Sequence, residues 1–515
     1  MQRRTLSLDE SGTLILLGAI LFGGWFRFMP TWLAGFPIND GGMFYTMMND
    51  LQANRFIPPL YTTYNNLNIP FAYPPLALYI GAFISSLLNI SEIEILRWLP
   101  AFFNTLTIPV FFLLAKEIIG DKFKGAVATF AFAFTPHLTT WLSAGGGLTR
   151  SLGTVFMILT VYFAWKLLVK EESKSLWGVI ISGSLAILSH TESSVYALTL
   201  PMLIWLVKSR SLKTAIQAGW VAIGVLLLAG PWYGWVTSQH GIAPLLSALK
   251  TGSQTIWSVL RLINIDILTE EPYLDLLGVF GILGIIFLVA KKDYFLPLML
   301  VTIYLVQPRS AHTIGNIPLA MSAGMFFTNE ILPRIGKWPN GRTVLVMALA
   351  PYILINFIYF DTLLAGNHLS QNERMAMEWV RKTTPTNGNF LILTGEPDAM
   401  CESSAEWFPA LTERKSLTTL QGSEWLINDQ FGKRTDSRIK LRSCINSDAP
   451  CLHRAVSELG DSFDFIYISF NAQTYYCKPA NAGSEPQNFA LMLSNSNDYS
   501  LVFASEEVVV FKLAK

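Results

Sequence analysis

The sequence predicts a polytopic α-helical membrane protein of about eleven spans that ends in a soluble α/β domain. Of its 515 residues 51% are hydrophobic and only 14% charged, with a mean hydropathy of +0.40. That is too apolar for an ordinary soluble enzyme. Apolar segments near the length a bilayer requires recur as far as about residue 364 and then stop. All four cysteines, Cys401, Cys444, Cys451 and Cys477, lie beyond that point. The net charge of +1, with no sustained basic patch, gives no footing for a nucleic-acid partner.

Taken in order, Arg3 and Arg4 precede an apolar stretch from Gly12 to Trp32. It is longer than the apolar core of a signal peptide and lacks a small-residue cleavage site, so it reads as a retained first span. Further apolar segments fall at about 97–115, 124–142, 151–169, 176–189, 193–207, 214–236, 275–290, 294–307, 314–330 and 343–364. Basic residues gather in alternate loops: Lys116, Lys122 and Lys124, then Lys166, Lys170 and Lys174, then Lys208, Arg210 and Lys213, then Lys291 and Lys292, then Arg334, Lys337 and Arg342. The positive-inside rule makes these loops and the N-terminus cytoplasmic and the C-terminus extracytoplasmic, in a plasma membrane. It also requires two short spans turning at His190. The run from Phe71 to Leu88 is apolar enough to cross, yet crossing would move every later basic loop outside. It is therefore expected as a juxtamembrane or re-entrant helix in one long external loop, residues 34–96, entered through Tyr73-Pro74-Pro75.

Residues 1–369 thus read as the membrane domain and 370–515 as the soluble one. "NERMAMEWVRKTT" has helical periodicity, whereas "FLILTG", "FDFIYISF", "LVFAS" and "EVVVFKL" read as strands. The cysteines lack the close pairing of a zinc site, and outside the cytoplasm disulfides are the better expectation, with buried thiols the alternative. Cys444 and Cys451 are near enough in sequence to close a short loop.

With topology set by the basic loops, the polar groups at the outer ends of spans are Arg27, Asp40, Arg97, Arg150, His190, Glu192, Arg309 and His312. Asp40, in "GFPINDGGMFY", is the sharpest, because an unpaired carboxylate near hydrocarbon costs several kcal/mol. Each also has an ordinary reading. Asp40 could cap a turn, Arg97 could snorkel, Arg150 could start a helix after "AGGGL", and His190 could be a packed core residue. As a set, arginines mixed with a few acids and histidines at one level suit an anionic headgroup at the outer leaflet.

The stretches "NDGGMFY", "YPPLALY", "LRWLPAFFNTLTIPVFFLLAKEI" and "LSHTES" make the chain resemble the GT-C membrane glycosyltransferases, a superfamily that includes the dolichyl-phosphate-mannose protein mannosyltransferases and the lipid A aminoarabinose transferase. The later "ESSAEWFPALTERKSLTTLQGSEWL" looks like the soluble tail of prokaryotic members. The resemblance implies a polyprenyl-phosphate-linked sugar donor, with the acid of the first external loop, Asp40, as general base and Arg97 at the donor phosphate. Related sequences often carry a His-Pro-Glu-like turn where this chain has His190-Thr191-Glu192. They also often carry two adjacent acids where it has Asp40 followed by Gly41 and Gly42, so a second acid is not assured.

The chemistry points the same way. Transfer from a lipid monophosphate needs a base for the acceptor's proton and cations for the departing phosphate, and one direct displacement inverts the anomeric centre. Asp40 suits the first role, with Arg97, Arg150 and Arg309 for the second. The sequence requires no cofactor, and a divalent metal remains possible. The competing readings are a lipid-linked-sugar flippase, whose charges would lie nearer the midplane, a metal-dependent oligosaccharyltransferase, and a pseudoenzyme whose soluble domain binds a partner. The acceptor, whether protein, lipid or glycan, is open.

Overall fold

The computed structural model describes residues 7–135, 139–250, 276–396, 398–458, 460–470 and 485–514. Its first helix, α1 (Leu8–Ala34), begins at a capping box in which Ser7 and Glu10 satisfy each other's backbone N–H groups. Two helices of the first loop follow, α2 (Gly42–Ala53) and α3 (Leu76–Leu88), separated by a short antiparallel ribbon of β1 (Tyr61–Thr62) and β2 (Ile69–Pro70). The 13 residues of α3 rise about 20 Å, short of the ~30 Å hydrocarbon layer. The bundle continues through α4 (Glu92–Ile119), α5 (Lys122–Ala133), α6 (Thr140–Ser143), α7 (Gly147–Leu168), α8 (Ser175–Ser189), α9 (Thr191–Lys208) and α10 (Leu212–His240). It closes with α11 (Ala243–Lys250), α12 (Leu276–Ala290), α13 (Phe295–Val306), α14 (Ala311–Phe326), α15 (Leu332–Ile335) and α16 (Gly341–Ala365).

Helices fall on all eleven expected segments, and α1, α4, α7, α10 and α16 are individually long and apolar enough to cross a membrane. Their outward faces are not a water-soluble surface. On α10 Leu226, Leu227 and Leu228 are all exposed, Leu227 by 71%, as expected where lipid replaces water. The turn expected at His190 is present, with the residue in extended backbone between α8 and α9. One segment differs from its reading: 124–142 is not a single helix, because α5 ends at Ala133 and the four-residue α6 begins at Thr140. The cause is local, since Pro136 disfavours helical backbone at the residue before it.

Beyond the membrane segments, a capping box of Ser370 and Glu373 starts α17 (Gln371–Thr383). Then come β3 (Asn389–Leu393), α18 (Ser403–Thr412), β4 (Lys415–Ser416), α19 (Gln430–Ser443), α20 (Ala449–Ser457), β5 (Phe465–Ser469), α21 (Glu485–Ser494), β6 (Tyr499–Ala504) and β7 (Val508–Leu513). The sheet has the order β4-β3-β5-β7-β6, parallel across β4, β3 and β5 and antiparallel across β5, β7 and β6. All five residues of β5 are buried, as a strand covered on both faces requires. Cys444 and Cys451 are bridged, with Cα atoms 5.5 Å apart, and Cys401 is also disulfide-bonded. Cys477 lies outside the described residues.

The first loop and the C-terminal region share one apolar core. Phe36, Met43, Phe44, Tyr64 and Phe71 pack in the same cluster as Phe390, Trp407, Phe408 and Tyr467. Asn65 adds a reciprocal pair, donating to the Ser416 carbonyl at 3.1 Å and accepting from the Ser416 N–H at 2.7 Å. The C-terminal region is thus packed on the loop that carries Asp40.

Candidate functional site

The site is built where the first loop passes the start of α7. Asp40 follows Asn39, whose backbone is left-handed (φ 56°), and precedes Gly41 at φ 130°, a conformation essentially confined to glycine. The loop is pinned at both ends. The Asn39 N–H donates to the Asn367 carbonyl at 2.7 Å, and the Gly145 N–H donates to the Ile38 carbonyl at 2.9 Å. The Asp40 side chain turns to the N-terminus of α7, where the Gly146 N–H donates to Oδ1 at 2.7 Å and Arg150 donates to Oδ2 at 3.0 Å. Asp40 is 6% exposed, so its charge has been removed from water and answered by a guanidinium and a helix N-terminus. A Cβ at Gly146 would lie 2.3 Å from the Asp40 carboxylate. The glycines of "AGGGL" therefore let the backbone come close to Asp40. Arg150 also lies over the Trp141 ring, 5.6 Å from its centre.

Glu192, His190 and Arg309 stand close to this pair. Arg309 approaches Glu192 at 3.7 Å. Buried His190 stands in the field of Glu192, Arg150 and Arg309. Gly153 leaves room for it, since a Cβ there would lie 2.9 Å from the His190 Cβ. Tyr73, from the Tyr-Pro-Pro entry, hydrogen-bonds Thr149 at 3.2 Å one residue before Arg150. His312 sits partly buried in the first turn of α14.

Two arginines go elsewhere. Arg27 is buried among the spans, donating to the Asn104 carbonyl, to Thr107 Oγ1 at 2.7 Å and to the Phe132 carbonyl at 3.5 Å. It holds α1 to α4 and α5 and does not contact Asp40. Arg97 pairs with Glu94 on its own helix at 2.7 Å and lies 5.1 Å from the Trp98 ring centre. It too stands apart from the Asp40 carboxylate.

Sequence reasoning missed the acids contributed by the C-terminal region. Glu406, on α18, accepts the Gly41 N–H at 2.9 Å through Oε1. Burial and the nearby Asp40 charge raise its carboxyl to about 8. Glu424 follows the turn at Gly422, and burial pushes it up to about 7. Its Oε2 is buried with no hydrogen-bond partner among the described residues, and its neighbour Trp425 packs on Tyr73 with ring centres 5.5 Å apart. A faint signal existed in the repeated Glu-Trp pair of "SAEW" and "GSEW". Nothing in the sequence, however, says that α18 reaches the first loop. Among the described residues no group of three or more His, Cys, Asp or Glu side chains is arranged to hold a metal ion.

Residues 72–235 match the family model described as dolichyl-phosphate-mannose-protein mannosyltransferase. No curated protein sequence matches the chain. Among solved structures, the chain is similar to ArnT from Cupriavidus metallidurans in the apo state, with 12% identity, 97% of each chain covered and a TM-score of 0.57. It is also similar to the arabinofuranosyltransferase AftD from Mycobacteria, with 13% identity, 96% of this chain covered and a TM-score of 0.54. The chain spans 40% of the length of AftD. The chain thus shares its fold with ArnT along its whole length and with part of AftD.

Proposed function

We propose that this chain is a membrane glycosyltransferase that moves a sugar from a polyprenyl-phosphate donor to an acceptor at the extracytoplasmic face, with inversion. The observation that carries the reading is Asp40, a buried carboxylate fixed by Arg150 and Gly146 at the N-terminus of α7. Each of its oxygens accepts one hydrogen bond there, which leaves further acceptor capacity for an incoming hydroxyl. The acceptor's proton passes to Asp40 as its oxygen bonds to the anomeric carbon. The bond from that carbon to the phosphate oxygen breaks, and its electron pair leaves with the lipid phosphate. Arg150, which donates to Asp40, and Arg309, which pairs with Glu192, would meet the charge growing on the phosphate. Arg97, held by Glu94, serves the donor from the flank.

The matched family model supports a polyprenyl-phosphate donor through the dolichyl phosphate in its description. A plasma-membrane topology with a cytoplasmic N-terminus is supported by the alternating basic loops. A reporter fused after Lys213 should then read cytoplasmic and one after Leu369 external; the reverse would put Asp40 on the wrong side. The function itself is tested by incubating the purified protein with a polyprenyl-phosphate sugar and candidate acceptors, then determining the anomeric configuration of the product. Retained configuration would sink the single-displacement mechanism. Movement of the lipid across vesicles without any transfer would favour the flippase.

A further inference from the structure

Two consecutive residues of α18 grip the backbone on either side of Asp40. The Trp407 indole N–H donates to the carbonyl of Asn39 at 3.0 Å, and Glu406 Oε1 accepts the N–H of Gly41 at 2.9 Å. The fit leaves no slack. A Cβ at Gly42 would lie 2.6 Å from the Glu406 carbonyl, and one at Gly41 would lie 3.2 Å from the Trp407 ring. From the loop side the Tyr64 hydroxyl donates to the Glu406 carbonyl at 2.6 Å, so α18 is itself held. Trp407 is fully buried between Phe36 and Tyr45, with ring centres 4.8 and 6.2 Å away.

We propose that Glu406 and Trp407 are positioning residues of the transfer centre, a clasp through which the C-terminal region sets the aim of Asp40. The inference rests on Asp40 being the base. Asp40 sits in a loop with left-handed and glycine-only backbone, which by itself has many alternatives. Hydrogen bonds on both flanking peptide units, from one rigid helix turn, remove them. A misplacement of about 1 Å can cost a hundredfold in rate, which is the scale of what the clasp protects.

The clasp also has a charge sensitivity. The groups acting on Glu406 are Asp40, Arg150, Glu424 and the Tyr64 hydroxyl beside it. Below about pH 8 Glu406 is protonated and adds no charge next to Asp40. Above it, a second carboxylate competes for Arg150 and repels Asp40.

The test is steady-state transfer by the full chain in detergent or nanodiscs, with a polyprenyl-phosphate sugar, from pH 6 to 9.5. Glu406→Ala is expected to lower kcat roughly 10- to 100-fold with the donor KM within about twofold. Glu406→Gln keeps an oxygen for the Gly41 N–H and should recover most of that loss. It should also hold its activity above about pH 8, where the parent falls. Trp407→Phe, which keeps the ring and loses the N–H, should cost about tenfold. If Glu406→Ala does not fold, the Gln and Phe variants decide. Wild-type kcat in Glu406→Ala, alongside an inactive Asp40→Asn, would overturn the clasp and leave the base standing. Glu406→Gln as impaired as Glu406→Ala would also overturn it. Full activity in Asp40→Asn would remove the base reading itself.

Discussion

Around Asp40 the two regions of the molecule contribute different ionisable groups, guanidinium groups from one and carboxyl groups from the other. The helical bundle brings Arg150 and Arg309, whereas the C-terminal region brings Glu406 and Glu424. A departing phosphate is anionic throughout the reaction and belongs on the cationic side. An acceptor hydroxyl must lose a proton and belongs beside the carboxyls. On the proposed function the contrast would divide the labour, with the spans holding the donor and the α/β region ordering the acceptor side and the base. It also explains why Asp40 lies at the seam, with Gly146 and Arg150 on one flank and Glu406 and Trp407 on the other.

The comparison can be broken most forcefully at Arg150. Arg150→Ala leaves the buried Asp40 carboxylate without its ion-pair partner, with only the Gly146 N–H still donating to it, a loss of up to roughly 3–5 kcal/mol. We expect kcat/KM for transfer to fall by two or more orders of magnitude, and a parent-like value would show that the cationic side is not assembled through this pair. Arg97 answers to a neighbour on its own helix, so Arg97→Ala should raise the donor KM about tenfold, or ~1.4 kcal/mol, and spare kcat. An unchanged donor KM would take Arg97 off the donor side. In the C-terminal region, replacing Cys444 and Cys451 by serine should lower stability by about 2–3 kcal/mol, given the short loop they close. A thermal melt checks this. Transfer at 25 °C should stay within about twofold, because the bridge does not touch the clasp. Least affected should be the reaction in chelator, with a change of under about twofold, since the Asp40 oxygens are engaged by N–H donors. Strict chelator sensitivity would favour the metal-using alternative.

The bundle was the more legible half. Span length and alternating lysine loops suffice to place helices, because lipid punishes every unsatisfied backbone group. The same rules separated α8 from α9 at His190 and expected a short helix within Phe71–Leu88, where α3 (Leu76–Leu88) lies. They failed at 124–142, where Pro136 overrides apolarity. Asp40 stood out because a buried acid is costly, and Arg150 because it followed three glycines. Its choice of partner was not legible, since the Asp40–Arg150 contact spans 110 residues of chain. In the C-terminal region the longer strands had their alternation or apolar runs, while two-residue β4 had too little sequence to leave a pattern. Glu406 remained hidden for a different reason. On its own helix it looks like a solvated acid, and only the docking of α18 on Gly41 and Gly42 turns it inward.

The account's central claim is that Asp40 takes the acceptor's proton at this seam. Asp40→Asn keeps the shape and can still accept from Gly146 or pack against Arg150, but it has no basicity. Single-turnover transfer and donor binding, measured on the same preparation with a polyprenyl-phosphate sugar, test the claim directly. The account predicts donor affinity within a few-fold of the parent and a transfer rate lower by roughly a hundred- to ten-thousandfold. Transfer at the parent rate by Asp40→Asn would contradict it.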